Sequence, residues 1–346
     1  MNLLDVINFS ILVIIKIFKF MIISKTPYRI SFFGGGTDMP KWYLKNDGQV
    51  LSTSIDKYVY LTCRELSDLF KEKIRLVYSK TELINNVNDI QHPSLRETLK
   101  FMNVTSNIDI HYDGDLPAFS GLGSSSAFTV GLVNALSLYK KKKLSQKNIA
   151  LKSIQIEQKK VKENVGSQDQ VAVSIGGLNH IYFNKNGSIK INKIKLNYNV
   201  LKKFQNNLML FYTGIKRNSN DIQKNYIRNI FKKNNELKIL HSSVDKGIKY
   251  LNEGSIDDFG YLMNEMWEYK KKLNEMVSND FIDKTYKQAV VSGALGGKII
   301  GAGGGGFFLF YVKKNDQPRV REALKKLKEV SFNFDNHGTK IIYNEH

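Results

Sequence analysis

The sequence has little cysteine, no paired histidines and no long apolar run, and each shortage excludes something. A single cysteine, Cys63, rules out a disulfide within the chain and fits a reducing, cytoplasmic setting. The six histidines are scattered, with no HExxH spacing, which argues against a zinc site. No GxxxxGK[ST] segment occurs, which excludes a Walker loop. The apolar run from Val6 to Ile15, followed by Lys16 and Lys19, is too short to span a bilayer as a helix. A signal peptide wants a basic start and a small-residue cleavage site, whereas Asp5 lies within the first five residues. Leu4, Ile7, Ile11, Ile14 and Phe18 recur at helical spacing, which allows an amphipathic helix. Met21 stands directly before the first functional segment. The expectation is therefore that residues 1–20 are an upstream extension, with a weak membrane-surface anchor as the alternative.

Acidic residues are also few: 52 Lys and Arg face 32 Asp and Glu, a formal charge of +20 over 346 residues. Such a balance suits nucleic acid, an anionic surface or anionic metabolites. The lysines are dispersed and travel with much Asn and Ile, so base composition of the gene accounts for most of the excess. No RRM, KH or zinc-finger pattern supports a nucleic-acid-binding protein. An apolar content of 42% is ordinary for a chain that buries a real core, and the length favours two domains.

Strand signals come first, at Tyr28 to Phe33, Gln49 to Ser54 and Tyr58 to Arg64, all rich in β-branched and aromatic residues. Ile108 to Tyr112 alternates and meets a turn signal at Asp113-Gly114. A loop from Asp115 to Gly123 leads into a helix from Ser124 to Tyr139. Ser145 is placed to cap the next helix, to about Lys162. Ser167 with Gln170 reads as a capping box for a third, which stops at Gly176-Gly177. His180 to Phe183 and Asn207 to Thr213 read as strands, and mostly helical sequence follows to Gly293. Lys298 to Ile300 and Phe307 to Val312 read as strands around a glycine loop. Pro318 opens a helix, and Thr339 to Tyr343 closes the chain as a strand. Strands and helices mix without regular βαβ alternation, so the fold class is α+β, divided near residue 200 into units of 21–200 and 201–346.

Three glycine-rich segments, at 34–36, 121–123 and 301–306, stand far apart in the sequence. Leu116 to Ala127, with Gly121, Gly123, Ser124, Ser125 and Ser126, runs straight into a helix. Glycine lets backbone N–H groups approach an anion, and the helix N-terminus adds donors and a positive dipole end. An ordinary serine-capped turn explains the segment equally well. Gly301 to Gly306 matches GxGxxG by letter, but a strand follows it. A dinucleotide fingerprint must open a helix, so a glycine-rich hairpin fits better. On the helix from Ser145, Glu157 shares a face with Ala150, Ile154 and Val161. A carboxylate on an apolar stripe needs a partner or a cation, unless it sits at a partly exposed helix boundary. Asp169 lies in the first turn of its helix, where aspartate often stands for dipole reasons alone.

Taken together, Pro117-x-x-x-Gly121-Leu-Gly-Ser-Ser125, Lys25 to Asp38 and Gly296 to Gly306 resemble, in order, the second, first and third signatures of the GHMP kinases. The resemblance covers Met21 to Val312. It implies an α/β two-layer N-terminal domain and a ferredoxin-like C-terminal domain, with the 301–306 loop closing the site between them. It implies ATP held by Pro117, Ser120, Gly121, Leu122, Gly123, Ser124, Ser125 and Ser126, and Mg²⁺ held by Ser125 and Glu157. Gly166 to Gln170 resembles the catalytic segment of the family's sugar kinases. Asp169 would accept the proton of the attacking hydroxyl, and Arg29 would keep that carboxylate ionised. Gly35, Gly36, Thr37, Asp38, Gly303 and Gly304 would meet the substrate.

Galactokinases carry Gly-Glu-His-Thr-Asp where this chain has Gly34-Gly-Gly-Thr-Asp38, which weakens that reading. That segment, Gly166 to Gln170 and Phe211 to Arg217 look most like D-glycero-D-manno-heptose 7-phosphate kinases, and next like fucokinases. A phosphorylated sugar needs a cationic pocket, for which Lys216 and Arg217 are candidates beside the simpler reading of a solvated basic face.

Overall fold

The computed structural model describes residues 20–118, 120–215 and 219–345. The amphipathic pattern expected before residue 20, together with Lys216 and Arg217, lies outside the described residues.

Thirteen strands are described: β1 (Met21–Phe33), β2 (Gly48–Glu65), β3 (Ile74–Val77), β4 (Thr81–Ile84), β5 (Ile108–Gly114), β6 (Leu178–Phe183), β7 (Ile189–Lys193), β8 (Leu208–Tyr212), β9 (Ala294–Ile299), β10 (Phe307–Val312), β11 (Lys328–Glu329), β12 (Phe334–Asp335) and β13 (Lys340–Glu345). Nine form one sheet, ordered β13-β1-β2-β5-β3-β4, with β6 and β12 also on the long β2 and β7 on β6. The two strands expected at Gln49 to Ser54 and Tyr58 to Arg64 are one. Opposite Pro27 the register slips, so that Pro27 faces Tyr58 while Tyr28 faces Ile55, and Asp56 and Lys57 bulge out. The apparent break was a bulge in a continuous strand.

The remaining four strands form an antiparallel sheet ordered β11-β8-β10-β9. Every residue of β10 is buried. Alternation explains how. Phe307, Leu309 and Tyr311 join the main core, whereas Phe308, Phe310 and Val312 join a second core with Trp267, Ile282 and Tyr286. The main core continues across the seam between the sheets. Phe259 there lies 4.7 Å, centroid to centroid, from both Phe33 and Phe204. The last strands return to the first sheet, since β13 pairs with β1 and β12 with β2. Pairing thus crosses the boundary expected at residue 200, because the outer edge of β1 needs a partner for its N–H and C=O groups.

The helix Ser124–Tyr139 is apolar nearly all round and packs against β1 and β2, as an interior helix should. The next helix, Gln146–Gln155, is capped by Ser145, whose side chain accepts from Asn148 N. It passes into a π-helical stretch, Ile156–Val161. The expected capping box at Ser167 and Gln170 does not form. Ser167 Oγ instead accepts from Gln158 Nε2 at 3.0 Å, and Gln170 turns to Glu157.

Candidate active site

The first strand and the third short helix, Gln168–Ile175, meet at a salt bridge. Arg29 donates from Nε to Asp169 Oδ1 at 2.8 Å and from Nη2 to Oδ2 at 2.7 Å. A two-pronged pair of this kind fixes the carboxylate's orientation as well as its position. Nη1 of the same guanidinium donates to Gly121 O at 2.7 Å, and the Arg29 amide donates to Leu122 O at 2.9 Å. One arginine therefore binds the glycine loop to the carboxylate for which the family resemblance implies a catalytic role.

Asp38 stands close by and is almost wholly buried. Its carboxylate accepts from Gly36 N at 3.0 Å and Gln168 N at 3.3 Å. Burial, then the nearby Asp169 carboxylate, pushes its pKa up to about 6. Gly166 is a requirement of this packing, since a Cβ there would come within 1.8 Å of Asp38 Oδ2.

These groups line one cavity of about 210 Å³, with Gly35, Gly36, Gly121, Gly123, Ser124, Ser125 and Ser126 on its wall. Of the other residues expected here, Leu122 is core, and Thr37 is buried and bonded to Gly34 O and Gln49 O. Ser120 is buried, and Pro117 lies on the approach to the loop rather than on the cavity wall. The 301–306 loop enters with Gly301 and Ala302. Gly303 and Gly304 instead pack on Val277, whose carbonyl accepts from Gly304 N at 2.7 Å.

Sequence reasoning missed Lys270, Lys298, Glu163 and Gln168, which also line the cavity. Lys298 lies inside the third signature, where its neighbours show only strand character. Its Nζ donates to Phe32 O at 2.8 Å, a carbonyl freed where β1 slips register against β2. Burial, then the Arg29 charge, lowers its pKa to about 7. Among the described residues, three cations and three acids line the cavity.

Glu157 lies behind this wall, fully buried. Ser126 Oγ donates to its Oε2 at 3.0 Å and Gln170 Nε2 donates to the same atom, while Oε1 has no partner among the described residues. Burial first, then Glu163, pushes its pKa up to about 8. The hydroxyl that touches it belongs to Ser126, whereas Ser125 is exposed on the cavity wall. A buried carboxylate with a spare oxygen beside serine hydroxyls is a hard-oxygen donor set of the kind Mg²⁺ takes when nucleotide phosphates complete it.

Residues 79–177 match the GHMP kinases N terminal domain and residues 248–329 the GHMP kinases C terminal domain, in that order and over just more than half of the chain. The chain belongs to the GHMP kinases. It is accordingly an ATP-dependent small-molecule kinase. Over 92% of its length it is 29% identical to a D-glycero-alpha-D-manno-heptose 7-phosphate kinase of Campylobacter jejuni, covering 97% of that protein. A bifunctional fucokinase/GDP-fucose pyrophosphorylase of Arabidopsis thaliana is 24% identical over 88% of this GHMP kinase, which spans 31% of that longer protein. The crystal structure of a D-glycero-D-manno-heptose 1-phosphate kinase from Bacteroides thetaiotaomicron superposes with a TM-score of 0.75 at 22% identity, over 93% of this chain and 99% of that one. No helix among the described residues is long and apolar enough to cross a membrane.

Proposed function

We propose that this GHMP kinase transfers the γ-phosphoryl group of ATP to the anomeric hydroxyl of D-glycero-D-manno-heptose 7-phosphate, giving the 1,7-bisphosphate used to make nucleotide-activated heptose. The observation that carries the reading is the Arg29–Asp169 pair docked on the Gly121–Ser126 loop in one cavity with Asp38. The heptose kinase relative, aligned over nearly the whole of both chains, supports the choice of sugar.

The N–H groups at the start of the helix Ser124–Tyr139, with the loop glycines and serines, receive the triphosphate. Asp169 takes the proton from the attacking hydroxyl as that oxygen bonds to the γ-phosphorus and the bond to the bridging oxygen of ADP breaks. Arg29 fixes the carboxylate and offers positive charge to the reacting centre. Asp38 accepts from sugar hydroxyls. Ser125, Ser126 and Glu157 are the residues that would hold Mg²⁺, which when bound neutralises phosphate charge.

The test is ADP release against heptose 7-phosphate, sedoheptulose 7-phosphate, fucose and galactose, with phosphorus NMR to locate the new ester. Turnover of fucose in preference to heptose 7-phosphate favours the second reading, a fucokinase, which the plant relative supports. Asp169→Asn should lower kcat by roughly 100-fold or more while leaving ATP affinity within about threefold. Equal loss of both would give Asp169 a purely structural role.

A further inference from the structure

Arg29 and Ser31 are two residues apart on β1, so their side chains leave the same face, about 6.6 Å apart along the strand. Gln168 and Asp169 are consecutive where the facing helix begins. The two pairs form neighbouring rungs across the cavity. The rung between Arg29 and Asp169 is closed by two hydrogen bonds. The rung between Ser31 and Gln168 is open. Ser31 is only 5% exposed, yet among the described residues its Oγ has no hydrogen-bond partner, and neither has the buried Oε1 of Gln168. Both residues line the cavity. They border the same space, because a Cβ built on Gly35 would lie 3.9 Å from Ser31 Oγ and 3.9 Å from Gln168 Nε2. Glycine at position 35 keeps that space clear.

Buried polar atoms without partners are costly and few in native folds. Two of them on residues that border one space, beside the reacting carboxylate, have a common explanation in a ligand group that completes both. We propose that Ser31 and Gln168 form a specificity subsite for the sugar hydroxyl adjacent to the one that is phosphorylated. The proposal rests on the sugar-kinase reading above and names residues within the same cavity. A hydroxyl suits the pair because it accepts from Ser31 Oγ–H and donates to the Gln168 amide oxygen at once. It serves equally whichever atom of that amide faces it. A phosphate suits the place poorly, because the Asp38 and Asp169 carboxylates flank it. The Gln168 backbone N–H, which donates to Asp38 Oδ2, keeps the glutamine at this height in the cavity.

The experiment compares wild type, Ser31→Ala and Gln168→Leu on D-glycero-D-manno-heptose 7-phosphate and its 2-deoxy analogue, with thermal melting of each protein without sugar. Wild type should prefer the full sugar by roughly 100-fold or more in kcat/KM, as a site built to bond a hydroxyl does. Each variant should lose about tenfold on the full sugar and little on the deoxy analogue, so the preference collapses. Ser31→Ala should melt no lower than wild type, since it removes a hydroxyl that has no partner among the described residues. Variants that melt lower and keep the wild-type preference would make both residues structural and overturn the subsite. A wild type that releases no ADP with any sugar of the panel sinks the sugar-kinase reading and the subsite with it.

Discussion

Glu157 shows how much one side chain can reveal. It is fully buried, accepts two hydrogen bonds on one oxygen and ionises only near pH 8. In the unfolded chain a glutamate ionises near pH 4.3. Between these values the fold keeps a proton that the unfolded chain has released. The stability that this proton confers is therefore whole below about pH 4 and is lost as the pH rises towards about 8. Asp38 acts with the same sign up to about pH 6. Lys298 acts with the opposite sign above about pH 7, where the unfolded chain holds the extra proton. Glu157→Gln keeps the shape and removes the titration. Without nucleotide or metal, the variant's melting temperature should gain on that of wild type steadily from about pH 5 to 8. Parallel melting curves for the two proteins across that range would assign the proton elsewhere.

The glycine hairpin between β9 and β10 is the element whose role the letters of the sequence disguise. Its GxGxxG match belongs to a loop between two strands, closed by Ile300 N donating to Phe307 O at 2.9 Å. At its end Gly306 has φ +88°, and a Cβ there would lie 2.2 Å from Ser120 O, next to Gly121. The two glycine segments thus touch backbone to backbone, far apart though they are in sequence. Gly306→Ala forces them apart and strains a backbone that alanine rarely adopts. Affinity for a fluorescent ATP analogue should fall roughly tenfold, with a loss of about 1–3 kcal/mol in stability. Unchanged nucleotide affinity would mean that the hairpin does not support the loop.

Across the whole molecule, the first described strand is held by the segment that leads into the last. Thr339, just before β13, shares a 2.8 Å hydrogen bond with Thr26 in β1, accepts from Asn134 Nδ2 at 3.1 Å, and gives its carbonyl to Gln146 Nε2 at 3.2 Å. One buried threonine therefore joins the first strand to the two helices that carry Ser126 and Glu157's neighbours. Thr339→Val retains the shape and leaves Thr26 and Asn134 short of a partner. Urea unfolding should show a loss of about 1–3 kcal/mol. A loss below about 0.5 kcal/mol would show that these groups find other partners.

Local order decided what could be read without coordinates. Gly121 to Ser126 running into an apolar helix, the strand-forming run Phe307 to Val312 and the Ser145 cap are written in neighbouring residues, because turns, periodicity and capping act over a few positions. The kinase was legible through the resemblance of three glycine-rich segments, together, to the family's signatures. Convergence was a different matter. That Lys298 reaches a carbonyl freed by slipped register in β1, that Gln170 binds Glu157 instead of capping its own helix, and that Gly303 and Gly304 pack on Val277 depend on partners distant in sequence. Burial and hydrogen bonding between remote segments are settled by packing, and no window of neighbouring residues contains both halves of such a contact.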